Sequence, residues 1–372
     1  MKTEHVYIHF PFCVSKCPYC DFFSIPFNDP GIHKKYIGYL LKEVANYNEI
    51  TGHLKSLYIG GGTPSLMHPD LLEKILSSFS FYPECEVTIE VNPATADFNK
   101  LRSFKDLGAN RISIGTQSFI SSDLKTLGRS HDANDIYECY ENARKAGFEN
   151  ISIDLIIGIP GQTPASVQFN ATEAVNIAPE HISTYILTFY DHTPFYKKLE
   201  RAEIFKHDDD TEMDFFDLTS EILEKYCYKK YEISNYSKPG KESIHNSNTW
   251  NFGSYLGLGA AAHSFFGKTR WENPRSIENW YYSVVNCRKA YKETQSDTVS
   301  LKNEFIMLGL RRTDGLNTGY YRAFFGSDIM EDYKVSLNKY LNNKILVKNG
   351  ECIRFDQKKI GIFNSVVSDI IL

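Results

Sequence analysis

Residues 7–24 read YIHFPFCVSKCPYCDFFS. A strand-like run from Tyr7 to Phe10 breaks at Pro11 and gives way to a loop with three of the chain's eight cysteines, Cys13, Cys17 and Cys20. The spacing C-x3-C-x2-C is too tight for chance scatter at this cysteine content. A structural zinc site would close with four ligands, and no fourth cysteine or well-spaced histidine follows nearby. An iron-sulfur cube accepts cysteine thiolates, and three of them leave one iron without a protein ligand. Such an open iron is able to chelate a small molecule and pass it an electron.

Downstream of the loop, β-branched runs alternate with amphipathic helical segments as far as about Phe189. The runs are VYIHF, SLYIG, EVTIEVN, RISIGTQ, ISIDLIIG and HISTYILTF, with HKKYIGYLLKEVANYN and HPDLLEKILSSF among the segments between them. This alternation predicts an α/β fold of parallel strands with right-handed crossovers, either an open doubly wound sheet or a complete or partial TIM-like barrel. Six units favour a partial (β/α)6 barrel. In EVTIEVN, Glu86, Thr88, Glu90 and Asn92 alternate with Val87, Ile89 and Val91; in ISIDLIIG, Ser152 and Asp154 alternate with Ile151, Ile153 and Leu155. A parallel sheet wrapped by helices buries both faces, so a polar face predicts a barrel interior that binds something. An edge strand with one wet face is the plainer alternative.

A chain of 372 residues exceeds what one core usually serves, which predicts a barrel with an appendage. The barrel is placed at residues 1–230, a connecting region at 231–298 and a C-terminal domain at 299–372. In the last, LKNEFIMLGLRR, a helix near 317–325, another near 328–341 and the hairpin ILVKNGECIRF read as a helical, winged-helix-like unit. It lacks a dense basic recognition helix, so packing or docking is expected of it and nucleic acid is not an expected partner. The net charge of -5, with 23% charged and 42% hydrophobic residues, names no polyanionic partner. No apolar stretch approaches the roughly 18 residues of a membrane span, and a cytoplasmic location is expected. Cys85, Cys139, Cys227, Cys287 and Cys352 are scattered singly and read as small buried hydrophobes.

The cysteine loop, with Tyr19 before its last thiol, resembles the signature of the radical S-adenosylmethionine (SAM) superfamily. Tyr7-x-His9-x-Pro11-Phe12-Cys13, the run Gly60-Gly61-Gly62-Thr63-Pro64, Glu90 in IEVNP, Gln117 in GTQS, Arg129, and Asp154 in DLIIGIPGQT are together similar to the oxygen-independent coproporphyrinogen oxidase-like branch, HemN and HemW. The resemblance spans nearly the whole chain. It implies a radical SAM barrel with a [4Fe-4S] cluster on Cys13, Cys17 and Cys20. It also implies a SAM site drawn from Tyr7, Tyr19, Gly61, Gly62, Thr63, Glu90, Gln117, Arg129 and Asp154. Glycines without Cβ let the backbone approach a ligand, so the turn at Gly60 to Thr63 is expected to present amides and carbonyls to SAM. Glu90 is expected to accept hydrogen bonds from a cationic amine. Taken alone, Arg129 reads as a surface arginine.

The anaerobic oxidases carry a further cysteine two positions after the third, where this chain has Phe22 in CDFF. That departure resembles the HemW-type haem chaperones. HNSNTW, His245 to Trp250, is similar to their HNxxYW haem motif, with Thr249 replacing the tyrosine. The resemblance implies haem as a third cofactor, with His245 as contact and Trp250 stacking on the porphyrin across a turn; His263 in AAAHSF is a second candidate. The implied function is binding of haem and transfer to acceptor haem proteins, membrane respiratory proteins among them, rather than catalysis. The alternative is a radical SAM oxidoreductase acting on a porphyrinogen-like substrate. A structural zinc protein leaves the companion motifs unexplained.

Overall fold

The computed structural model describes residues 2–27, 29–286, 292–294 and 297–371. The chain opens with β1 (Thr3–Phe10); two short strands, β2 (Phe12–Cys13) and β3 (Ile25–Pro26), pair in parallel and close the neck of the cysteine loop. Then come α1 (Pro30–Asn46), β4 (Thr51–Gly61), α2 (Pro69–Leu76), β5 (Phe81–Val91), α3 (Phe98–Leu107) and β6 (Arg111–Gln117). The alternation continues through α4 (Ser121–Leu127), α5 (Ala133–Lys145), β7 (Ile151–Ile157), α6 (Pro164–Asn176) and β8 (His181–Ile186). The six long strands pair in parallel in chain order, as the alternation predicts.

Helix starts follow local chemistry. Asp132 and Asp135 form a reciprocal capping box at α5, and at α6 Thr163 and Ser166 do the same around Pro164, whose missing N–H is an orphan at that position anyway. Val6, Ile8, Leu57, Ile59, Ile89, Ile112, Ile114 and Ile153 turn their side chains into one core with Leu40, Ile75, Leu101, Phe104 and Ile136 from the helices. Burial of each such side chain contributes about 1.5–3 kcal/mol. The opposite faces of the same strands carry the polar residues.

The sheet extends beyond the six strands read from the sequence. After α7 (Pro194–Glu200) and the acidic α8 (Asp209–Lys225), β9 (Lys229–Glu232) and β10 (Asn235–Ser237) form a hairpin that pairs antiparallel with β8. After α9 (Ile244–Trp250), β11 (Leu256–Leu258) adds a parallel strand beside β1. The nine-stranded order is β11-β1-β4-β5-β6-β7-β8-β10-β9.

Next come β12 (His263–Phe266), β13 (Thr269–Glu272), α10 (Ile277–Val285) and β14 (Lys292–Thr294). The C-terminal unit comprises α11 (Thr298–Arg311), β15 (Leu316–Asn317), α12 (Thr318–Phe325), α13 (Ile329–Asp332), α14 (Lys334–Asn342), a wing of β16 (Leu346–Asn349) and β17 (Cys352–Phe355), and α15 (Phe363–Ile370). Its apolar residues Phe305, Leu310, Tyr321, Leu337 and Phe355 join Ile157, Phe215 and Phe216 of the barrel in one cluster.

Some expectations fail here. The helix expected across 328–341 is broken at Tyr333, whose φ of -122° is not helical and whose hydroxyl reaches Asn303 at 2.6 Å. Cys85 and Cys139 are buried as expected, but Cys352 is half-buried and Cys227 is exposed, with φ of +66° where the chain turns off the end of α8. Cys287 lies outside the described residues. Among the described residues no helix is long and apolar enough to cross a membrane.

Candidate functional site

Two adjoining cavities open on the polar side of the sheet. The smaller, about 430 Å³, is lined by Cys13, Cys17 and Cys20 together with Tyr19, Gly61, Gly62, Thr63, Glu90, Gln117, Arg129 and Asp154. The larger, about 900 Å³, is lined by Tyr7, His245, Thr249, Trp250, His263 and Arg311 among others. Tyr58, Gly61, Glu90, Phe22 and Asn246 line both, so the two spaces share a wall. Of the residues expected at a SAM site, only Tyr7 falls in the larger cavity and not the smaller.

The cysteine loop is held at several points. His9 Nε2 donates to the Phe23 carbonyl at 2.7 Å while its Nδ1 accepts from the Tyr7 hydroxyl at 3.0 Å, the tautomer those partners require. Gly61, at φ +114°, leaves room for that ring, because a Cβ there would lie 2.6 Å from His9. A Cβ on Gly62 would strike the Phe12 carbonyl oxygen at 2.6 Å. The expected role of this turn needs correction: its amides are spent within the chain, Gly61 N–H on Glu90 at 3.0 Å, Gly62 on Phe10 and Thr63 on Phe12, each at 2.8 Å. The turn has only carbonyls and bare Cα faces left for a ligand. Burial raises the Cys13 and Cys20 thiols above the ordinary range. Arg129 is half-buried and not a surface side chain; it donates to Cys17 Sγ and to the Gly115 carbonyl.

Glu90 accepts from the Tyr58 hydroxyl at 3.0 Å, and its carboxyl is pushed up to about 7, chiefly by burial and then by the Asp154 charge. Asp154 accepts from Ser113 at 3.0 Å, and burial raises its carboxyl too. Two desolvated carboxylates in one cavity favour a cationic occupant.

HNSNTW forms a helix, not a turn. Ser243 caps α9, and Glu86 accepts from the Ile244 and His245 N–H groups at 3.0 and 3.2 Å, satisfying donors that a helix N-terminus leaves free. His245 is buried between the rings of Tyr58, Tyr7 and Tyr255, and burial lowers its pKa to about 3, so the imidazole is neutral at pH 7. Its Nδ1 lies 3.0 Å from Ser56 Oγ. Among the described residues Trp250 Nε1 is buried without a partner, and the Arg311 guanidinium covers one ring face at 4.5 Å. His263 is exposed and paired with Glu272 at 3.4 Å. Sequence reading missed Ser56, Tyr58 and Arg311 and placed Glu86 on a polar strand face without giving it a role; these residues belong to no local motif and meet the site only through strand register and helix packing.

Comparison with known proteins identifies the family. Residues 7–169 match the radical SAM superfamily and residues 301–358 the HemN C-terminal domain. The chain is 31% identical over 375 residues to heme chaperone HemW of Lactococcus lactis subsp. lactis (strain IL1403), covering 100% of this chain and 98% of that one. It is 32% identical to heme chaperone HemW of Bacillus subtilis (strain 168), covering 94% and 93%. In fold it is similar to the radical SAM enzyme coproporphyrinogen III oxidase (HemN) from Escherichia coli, with a TM-score of 0.85 at 20% identity over 98% of this chain and 89% of that one. The matching length, the shared barrel and the HemN-type C-terminal unit place the chain in the HemW family of the radical SAM superfamily.

Proposed function

We propose that this chain is a haem chaperone: it binds haem in the larger cavity and, beside it, a [4Fe-4S] cluster with SAM, and it passes haem to acceptor proteins. The observation that carries this reading is the shared wall between a cavity of three thiols and a cavity containing a neutral histidine. On this reading residues 1–230 serve the cluster and SAM, residues 231–298 bring the haem contact, and residues 299–372 close the larger cavity through Arg311 and Phe363. The protein would act in the cytoplasm.

The donor set fits these groups. Cys13, Cys17 and Cys20 line one cavity, yet among the described residues no three His, Cys, Asp or Glu side chains converge to hold a single ion. That arrangement suits one cluster iron per thiolate. Glu90 and Asp154 offer anionic oxygen to the ammonium and sulfonium charges of SAM, and Arg129 and Gln117 offer donors. Bound together, the cluster and SAM would supply one-electron chemistry. His245 offers a neutral imidazole and Trp250 a flat apolar face.

Anaerobic reconstitution followed by parallel assays of haem binding, SAM cleavage and coproporphyrinogen conversion tests the proposal. Wild type should bind haem without converting coproporphyrinogen; His245→Ala should weaken binding and alter the Soret band, and Cys20→Ser should leave haem binding largely intact. Coproporphyrinogen turnover without haem binding would replace the chaperone reading with the oxidoreductase one.

A further inference from the structure

One wall of the larger cavity is a loop fastened from behind. Glu43 on α1 is buried, and its carboxylate accepts from the Gly259 N–H at 2.8 Å and from Asn273 Nδ2 at 2.6 Å, while Asn273 Nδ2 also donates to the Gly259 carbonyl at 2.8 Å. The Asn273 N–H reaches the Ala262 carbonyl at 2.8 Å, and the Ala261 N–H reaches that of Pro274 at 3.0 Å. Ser276 then caps α10 by accepting from the Asn279 N–H at 3.3 Å. Arg275 falls between Pro274 and Ser276, so the backbone that carries it is held on both sides. Ala261, His263 and Arg275 line the cavity together.

The other charged residues lining this cavity are already matched. Asp21 is paired with His192 at 2.8 Å, Glu232 with Arg311 at 3.0 Å and His263 with Glu272 at 3.4 Å, and Glu90 accepts from Tyr58 and from the Gly61 N–H. Among the described residues the exposed Arg275 has neither an ion pair nor a hydrogen bond, which leaves its five donors to solvent or to an occupant. Burial lowers the His9 pKa to about 4 and lowers that of His263, and the Arg275 charge lowers both further, whereas His245 feels His5 and Arg111 and not Arg275. The Tyr7 ring lies 6.3 Å from the ring of His245 and 6.0 Å from that of His9. The uncommitted cation is therefore set off from His245 along the wall, by way of Tyr7 and His9. A haem carries its carboxylates at the macrocycle edge, away from the iron, and a guanidinium meets a carboxylate through two parallel N–H···O bonds. SAM also has a carboxylate, but Arg275 lines the larger cavity and not the one with the three thiols.

We infer that Arg275 binds a propionate carboxylate of the tetrapyrrole in the larger cavity, so that the site selects a porphyrin with ionised side chains over one whose carboxylates are masked. This rests on the haem reading above and adds to it a specificity-determining residue at the macrocycle edge. The Glu43–Asn273–Gly259 hydrogen bonds hold the loop in place before the ligand arrives, which limits the ordering cost of the contact.

The test uses the full-length chain and two probes, hemin and hemin dimethyl ester, each titrated by Soret absorbance. Wild type should prefer hemin to the ester by roughly 5- to 10-fold, the scale of one charge pair open to solvent. Arg275→Met should lose that preference by weakening hemin alone, with ester affinity and the far-UV spectrum unchanged, and Arg275→Lys should restore part of it. Hemin affinity should fall with added salt more steeply in wild type than in Arg275→Met. SAM binding by equilibrium dialysis should be the same in both. The inference is overturned if Arg275→Met weakens hemin and ester equally, or weakens neither. A loss of SAM affinity in place of hemin affinity also overturns it, because the guanidinium then serves the SAM carboxylate. If His245→Ala loses hemin while Arg275→Met binds it as wild type does, the haem reading stands and the inference alone fails. If wild type binds neither porphyrin, the haem reading fails first and the role of Arg275 with it.

Discussion

Arg129 donates to the Cys17 sulfur at 3.6 Å while a second guanidinium nitrogen donates to the Gly115 carbonyl at 2.9 Å. One side chain thus ties the cysteine loop to the end of β6 and sets a fixed positive charge beside a thiol. The guanidinium can give a charge-assisted hydrogen bond to an anionic sulfur at that position.

Arg129→Met should therefore loosen the cluster without abolishing it, because all three thiols remain. Chelator-driven release of iron from the anaerobically reconstituted protein should be several-fold faster than in wild type. Cys17→Ser, by contrast, should leave no [4Fe-4S] spectrum at all. Equal release rates in Arg129→Met and wild type would remove the arginine from the cluster's support.

Glu90 predicts a pH dependence whose sign is fixed. Its folded-state carboxyl is raised from 4.5 to about 7, so between those values the folded protein holds a proton that the unfolded chain has lost. Stability is fully present below 4.5 and falls as pH rises through 7, by on the order of 3 kcal/mol at roughly 1.4 kcal/mol per unit. Glu43, also raised to about 7 by burial, acts in the same window, so the comparison must be with Glu90→Gln and not with theory. That variant should show a shallower fall in denaturant-measured stability. Its SAM affinity should be weaker and flat with pH, where wild type tightens as Glu90 ionises above 7. Equilibrium dialysis from pH 6 to 8 checks this.

The barrel was legible in the sequence because each long strand repeats β-branched residues at period two, and both cavities inherit their polar wall from the alternating positions. The motif residues were legible one by one, and the structure gathers Cys13, Gly62, Glu90, Gln117, Arg129 and Asp154 around one space. What was not legible depends on register or on packing. β9, β10 and β11 are three or four residues long, too short for a period to show. HNSNTW lacks an apolar repeat, and its helix depends on Ser243 and on Glu86, 159 residues from His245. Neither Ser56 nor Glu86 differs locally from any polar residue on a wet strand face. Cys227 shows the converse error: its residue type favours burial, but the turn off α8 determines its exposure.

The last prediction separates two roles of Glu86. Its carboxylate is 5% exposed, lies 3.9 Å from the buried Arg111 guanidinium, and accepts three hydrogen bonds at the start of α9, from Ser243 Oγ, Ile244 N–H and His245 N–H. Removing one member of a buried ion pair strands the other, at a cost of about 3–5 kcal/mol. Glu86→Gln should reach that range, because it loses the charge and also turns an amide N–H₂ toward helix donors. Arg111→Met should cost less, since α9 keeps its carboxylate cap. If the ion pair dominates, the double variant should be no less stable than Glu86→Gln alone. If capping dominates, the two losses should add and α9 amides should lose hydrogen-exchange protection only where Glu86 is replaced. The burial of both groups favours the first outcome for stability, whereas the three contacts to α9 make hemin affinity follow Glu86 and not Arg111. Equal hemin affinity in Glu86→Gln and wild type would show that α9 holds His245 in place without this carboxylate.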